Sequence, residues 1–266
     1  RDTQINEVIV DNDFSSAGSE FVLHLNGINE KLNYGFLKCD TLFTGDNPFK
    51  KGTSLRMKKG IAEYVPYFPE SGEYSVYISY PGAKDNGKAV KYSIRHAGGV
   101  TEFVIDQTIG GGTWIWLGSF YFHKGNDKTT GEVIVTSDGE GFTALDAVRF
   151  GGGMGNVARR PAPVVLANQK SVNENEMHVL KTAPADTISY SWKISGKPRF
   201  TEGARYYLQY AGFPDSLVYS LNDNKNDYND DYQSRGEWVN YLMGNPNGPL
   251  KNRKAEGLKI PVDLAF

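Results

Sequence analysis

The stretch that decides the fold is "EYSVYISY", residues 73–80. Tyr74, Val76, Ile78 and Tyr80 fall on one side of an extended chain and Glu73, Ser75, Tyr77 and Ser79 on the other, the period-2 pattern of a half-buried β-strand. Working outward, "KYSIRH" (91–96), "EFVIDQ" (102–107), "WIWLGSFYF" (114–122), "EVIVTS" (132–137) and "ALDAVRF" (144–150) follow at regular spacing. Between them stand "PGAKDNGK", "AGGV", "IGGGT", "HKGNDKTTG" and "DGEGF", the Gly, Asn and Asp clusters that close hairpins and β-connections. Short strands at this rhythm, with no helical period among them, predict an antiparallel β-sandwich of the jelly-roll kind over residues 1–150.

"GGGMGNVARRPAP" (151–163) breaks the periodicity and reads as a linker, and the polar stretch that follows to residue 197 as loop with one strand. After Pro198 the grammar changes. Thr201 can cap a helix with Glu202 in its first turn, with Ala204, Leu208 and Ala211 at helical spacing and Gly212 as its stop. "SLVYS" (216–220) reads as a short strand. Asp230 or Asp231 opens a second helix carrying the stripe Trp238, Tyr241 and Leu242 and ended by Gly244, and "IPVDLAF" (260–266) alternates as a strand again. Helix, strand, helix, strand is an α/β unit of the parallel kind, and two strands with two helices cannot cover both faces of a parallel sheet. The expectation is an incomplete α/β segment over 198–266 that needs strands from outside it, on a chain that stops at the edge of a site.

Composition bounds the function. The 266 residues carry a net charge of −2 at pH 7, 16 Tyr and 30 Gly, with 39% hydrophobic residues. Near-neutral charge supplies no electrostatic footprint for nucleic acid or an anionic membrane surface, and no run approaches the ~20 apolar residues of a spanning helix. Residue 1 is Arg, so the chain reads as processed, or as a piece of something longer. The lone Cys39 cannot form an internal disulfide and reads as structural.

Metal catalysis needs about three protein ligands and an open position. His24, His96, His123 and His178 are scattered, with no HxH or HExxH spacing. No GxSxG motif marks a nucleophile, and the Gly-rich runs lack the Lys and helix of a phosphate cradle. "NDNKNDYNDDY" (222–232) offers oxygen ligands for calcium without EF-hand order, and a solvated, helix-capping loop is preferred. No cofactor is therefore assigned within the chain.

Trp114 and Trp116 alternate with Ile115 and Leu117, so both indoles are expected on one face. Exposed, that face is a stacking platform for sugar rings; turned inward, it is core. Tyr77, Tyr121, Arg95 and His96 are the candidates to complete a polar groove around it.

Two resemblances attach to these motifs. "VIVDND" (8–13), "GEYSVYISYP" (72–81), "YSIRHAGGVTEFVIDQ" (92–107), "TWIWLGSFYFHKG" (113–125) and "ALDAVRFGGG" (144–153) together resemble the golvesin C-terminal-like domain of extracellular bacterial proteins, often labelled xanthan lyase-like. That resemblance implies an accessory sandwich engaging carbohydrate or cell envelope, and a secreted, periplasmic or cell-surface location. It does not by itself imply lyase chemistry. "TEGARYYLQYAGFPDSLVYS", "DDYQSRGEWVNYL" and "GLKIPVDLAF" are similar to the middle of the zinc-dependent N-acetylmuramoyl-L-alanine amidase fold. This second resemblance puts Glu202 at a zinc-ligand position and matches Arg235 and Asn240 to the second helix, with both His ligands falling outside the chain and Ser220 replacing a family Arg. What the two imply together is a polysaccharide- or peptidoglycan-binding sandwich beside a partial amidase-like segment, inert as it stands, with zinc in a longer protein. The rivals are a polysaccharide lyase, a peptidoglycan amidase or peptidase in the full-length protein, and a structural spacer.

Overall fold

A computed structural model describes residues 2–27, 29–38, 48–153, 162–165, 188–191, 208, 211–214, 217, 227–244 and 257–263. In chain order the strands are β1 (Glu7–Val10), β2 (Glu20–Leu25), β3 (Asn29–Leu32), β4 (Ser54–Met57), β5 (Gly60–Val65), β6 (Gly72–Ile78), β7 (Val90–His96), β8 (Gly99–Ile105), β9 (Ile115–Phe122), β10 (Glu132–Ser137), β11 (Thr143–Leu145), β12 (Val148–Gly151), β13 (Ala162–Val165) and β14 (Ile188–Ser191), followed by the helix α1 (Asp227–Met243).

Two antiparallel sheets form the body. One has the order β1-β12-β6-β9 and the other β2-β5-β10-β7-β8; a smaller sheet, β11-β4-β3, flanks them. The registers explain which side chains meet. In the four-stranded sheet Val8 lies opposite Phe150, Phe150 opposite Val76 and Val76 opposite Gly118. In the five-stranded sheet Phe21, Tyr64, Val133 and Ile94 are aligned in the same way. These rows face one another, and Tyr74, Val76, Ile78, Tyr92, Val133 and Phe150 belong to a single buried cluster. The alternation of residues 73–80 is therefore the inner face of a sandwich, each fully buried apolar side chain contributing about 1.5–3 kcal/mol.

One strand read from the sequence is two in the structure. "ALDAVRF" splits at Asp146–Ala147, where the chain leaves the small sheet after β11 and enters the four-stranded sheet as β12. Residues 151–197, read as linker with one strand, contain the antiparallel pair β13–β14.

The C-terminal third departs further from expectation. The second helix forms and ends before Gly244, whose φ of +105° suits the left-handed stop of a helix. The strand expected over 260–266 does not form in its described part, 260–263; residues 257–263 instead run beside the helix end and a sandwich loop: Leu258 N–H donates to Tyr241 O at 2.9 Å, Ile260 N–H to Leu242 O at 2.7 Å, and Gly110 N–H to Leu258 O at 3.1 Å. Among the described residues there is thus no parallel β unit. Glu202, most of the helix expected around it, most of "SLVYS" and Cys39 lie outside the described residues.

This segment caps the outer face of the four-stranded sheet. Ile9, Tyr77, Trp114, Phe36 and Phe49 form a second buried cluster with Leu208, Phe213 and Leu217, against which Trp238 and Tyr241 pack. Phe213 makes edge contacts with Trp238 at 5.5 Å and Tyr241 at 5.1 Å.

Candidate functional site: an exposed aromatic strip on an edge strand

The outer face of the four-stranded sheet is divided. Over β1, β12 and β6 it is roofed. Arg149 is completely buried there, its guanidinium 3.9 Å from the Tyr77 ring centroid and 5.4 Å from that of Trp114, and it donates to Gly153 O at 3.2 Å. Tyr77 turns its hydroxyl inward to Asp2 Oδ2 at 3.1 Å. Burial raises the Asp2 carboxyl above its usual range, and the Arg149 charge pulls it partly back. Trp114 packs on Phe36 at 4.7 Å and Phe49 at 5.3 Å and is only 4% exposed.

The β9 edge is open. Trp116 stands opposite Tyr77 in the register, yet is 57% exposed, and Tyr121, opposite Glu73, is 50% exposed. Between them Ser119 shares a hydroxyl–hydroxyl hydrogen bond of 2.6 Å with Ser75. His123 continues the line, its ring 5.7 Å from Tyr121. Four register steps on β6 separate the partners of Trp116 and Tyr121, which spaces the two rings by roughly 13 Å along the strand.

A β-bulge makes this strip. Trp116 and Tyr121 are five residues apart, so strict alternation would put them on opposite faces. The register shifts between Val76 and Tyr77, where Leu117 becomes the extra residue and turns into the sandwich core. Trp116, Ser119 and Tyr121 then share the outer face, the re-aiming that bulges produce at sheet edges. The preceding loop sets the phase. Gly110, Gly111 and Gly112 all have positive φ, and a Cβ on Gly111 would lie 2.4 Å from Tyr80 O, so only glycine passes this close to the β6 exit while delivering Trp114 to the covered side.

The other sequence candidates lie elsewhere. Arg95 is on the outer face of the five-stranded sheet, across the sandwich from Trp116, and pairs with Glu132, whose carboxylate is almost wholly buried. Burial raises the Glu132 carboxyl and Arg95 opposes that shift. His96 ends β7, its ring tilted against Phe120 at a centroid distance of 4.7 Å, with Nδ1 accepting from Gly98 N–H at 3.1 Å and Nε2 3.0 Å from Thr101 Oγ1. With Nδ1 an acceptor, the proton is on Nε2, which donates to the threonine. The structure therefore places Trp114 and Tyr77 beneath the roof, Trp116 and Tyr121 on the open strip, and Arg95 and His96 away from both. A groove joining all of them does not form. Among the described residues no three His, Cys, Asp or Glu side chains group as a metal-binding set, and no helix is long and apolar enough to cross a membrane.

Comparison with known proteins bears on this sandwich. A xanthan lyase from Bacillus sp. (strain GL1) is 33% identical over 91 residues, which span 33% of this chain and 10% of that protein. The chain thus matches only about a tenth of the length of that relative. Among solved structures, a Paenibacillus xanthan lyase aligns with TM-score 0.42 and 23% identity over 55% of this chain and 13% of that one. A carbohydrate-binding module of Cellvibrio mixtus lichenase 5A, in complex with cellotriose, aligns with TM-score 0.30 and 14% identity over 56% of this chain and 97% of that one. Superpositions this loose carry no weight for function, and the architecture stands on its own strand registers. The matches give no support to the amidase-like reading of residues 198–266. What is matched is the strand-rich body that carries the bulge and the strip: residues 44–152 match the family model of the golvesin C-terminal domain.

Proposed function

We propose that the sandwich is a non-catalytic carbohydrate-binding module that holds a polysaccharide chain along the β9 edge through Trp116 and Tyr121. The observation that carries this reading is the exposure of two large aromatic rings on one face of an edge strand, in line and with a hydroxyl between them. Leaving an indole half in water forgoes part of the 1.5–3 kcal/mol that full burial would give, and two such rings in line make one exposed apolar strip, the kind of surface that marks a binding site. A pyranose presents a flat CH-rich face that stacks on indole and phenol, while its rim hydroxyls meet the indole N–H, the Ser119 hydroxyl and the Glu73 carboxylate. Two rings roughly 13 Å apart suit an extended chain longer than one sugar.

The xanthan lyase relative favours an anionic bacterial exopolysaccharide as ligand, with the module serving a longer, secreted or surface-attached protein. Peptidoglycan is the alternative glycan. The experiment is affinity electrophoresis and calorimetric titration of the whole chain with xanthan fragments, soluble peptidoglycan fragments and cello-oligosaccharides. Saturable binding to xanthan fragments, lost in Trp116→Ala, is the expected result. Binding only to peptidoglycan fragments would reassign the ligand, and no binding to any glycan would leave the sandwich a spacer. Appearance of an ultraviolet-absorbing unsaturated uronate during incubation would instead make the chain a lyase.

A further inference from the structure

The glutamates on the strands of the sandwich are held by cations, with one exception. Glu7, Glu20, Glu30, Glu63, Glu102 and Glu132 all stand in ion pairs with a Lys or Arg. Glu73 is the exception. It is exposed, and among the described residues its carboxylate has neither an ion pair nor a hydrogen-bond donor.

Its place is on the strip. Glu73 lies directly opposite Tyr121 in the β6–β9 register, on the same outer face, which sets the two Cβ atoms about 4.5–5.5 Å apart. The other strip positions, Ser119 and Trp116, have Ser75 and Tyr77 opposite them, and neither carries a charge. The row of β6 that borders the rings therefore holds one charge, and it is negative. Arg149, the cation of this sheet face, is completely buried beneath the roof. The cations nearest in the chain come after the end of β9: His123, whose ring meets Tyr121 edge-on, lies in the field of Asp127, and Lys124 follows on the opposite parity.

A sugar ring stacked on Tyr121 turns rim hydroxyls toward this carboxylate. Hydroxyl donors suit it, since a hydrogen bond to an ionised acceptor is about twice as strong as a neutral one. A carboxylate on the sugar does not. Two like charges roughly 5 Å apart at a hydrated surface repel enough to weaken binding several-fold at low salt.

We propose that Glu73 sets the specificity of the strip: it selects an uncharged pyranose at Tyr121 and turns away uronates and other anionic sugars from that position. The inference rests on the strip being the glycan site. An acidic exopolysaccharide then lies on it through an uncharged stretch of its chain, with its acidic groups held clear of Tyr121.

The test is a calorimetric titration of the whole chain, at about pH 8 and low salt, with two oligomers of equal length: a cello-oligosaccharide, and the oligoglucuronate made by oxidising its primary hydroxyls. Wild type should bind the neutral oligomer at least about fivefold more tightly, with the gap narrowing as added salt screens the repulsion. Glu73→Gln keeps the shape and removes the charge. It should lose several-fold in affinity for the neutral oligomer, gain for the glucuronate and close the gap at unchanged Tm, and Glu73→Lys should reverse the preference. Glucuronate binding by wild type equal to or tighter than that of the neutral oligomer would overturn the proposal and leave the strip a glycan site. A gap that persists in Glu73→Gln would overturn it as well, as would a protein that binds xanthan fragments and not the neutral oligomer. Failure to bind any glycan would instead remove the reading on which it rests, and the proposal with it.

Discussion

Trp114 and Trp116 are separated by one residue and stand on the same side of one sheet, yet the first is 4% exposed and the second 57%. The difference is made by what lies above them. Over Trp114 a roof of Phe36, Phe49 and the C-terminal residues Leu208, Phe213 and Leu217 converts the outer sheet face into a second core, with Arg149 held between two rings. The roof stops short of β9. An aromatic residue is thus a packing element or an exposed platform according to the neighbouring layer, and residue type and strand parity do not distinguish the two.

The largest expected break in this comparison comes from truncating both indoles in turn. Trp114→Ala should cost about 3–5 kcal/mol of unfolding free energy in denaturant melts, through the cavity it leaves beneath the roof. Trp116→Ala should change stability by no more than about 0.5 kcal/mol, as surface substitutions do. Equal losses at the two positions would mean that the roof extends over β9. For glycan binding the order reverses, with Trp116→Ala losing at least about tenfold in affinity, roughly 1.4 kcal/mol, and Tyr121→Ala a smaller factor.

Arg95 sharpens the same contrast from the opposite side of the molecule. Arg95→Ala should leave glycan affinity unchanged while destabilising the fold by about 1–3 kcal/mol, because it strips the partner from a buried carboxylate. Its pH dependence has a definite sign. The folded Glu132 carboxyl is raised above the ordinary value of 4.5 by burial, so the stability it contributes is full below that value and is lost as pH rises through the folded value. Removing Arg95 raises the folded value further, so the deficit relative to wild type should be smallest near pH 4 and grow toward neutrality. A pH-independent deficit in paired melts would contradict this. The smallest effect expected is at His96, where His96→Gln should shift Tm by only a degree or two and leave glycan affinity unchanged, since its polar contacts are confined to Thr101 and Gly98 and its one ring contact is with Phe120, away from the strip.

Much of the sandwich was legible because its cause is local. Residues 73–80 alternate, their turns are written in Gly, Asn and Asp, and the inner rows follow. The strip was half legible. Parity put Trp116 on the same side as Trp114 and opposite to Tyr121, and the bulge at Leu117 reversed the second relation through a long-range register that no local pattern records. The burial of Trp114 and Tyr77 depends on residues more than 90 positions later, which sequence periodicity cannot place. The break of "ALDAVRF" at Asp146 had a signal in the sequence, an acidic residue among apolar neighbours that the structure buries, but one strand is the simpler reading of the run. The parallel α/β unit expected near the C-terminus rested on alternation in "IPVDLAF", whose described part instead lies against the end of α1 and the loop at Gly110.

The central claim is that the open β9 edge, and not the covered face beside it, binds polysaccharide. Its most direct test is a calorimetric titration of xanthan fragments into wild type and Trp116→Ala, each verified as folded by its melt. The account predicts saturable binding to wild type and a loss of at least about tenfold in the variant at unchanged Tm. Undiminished binding by a folded Trp116→Ala protein would contradict it.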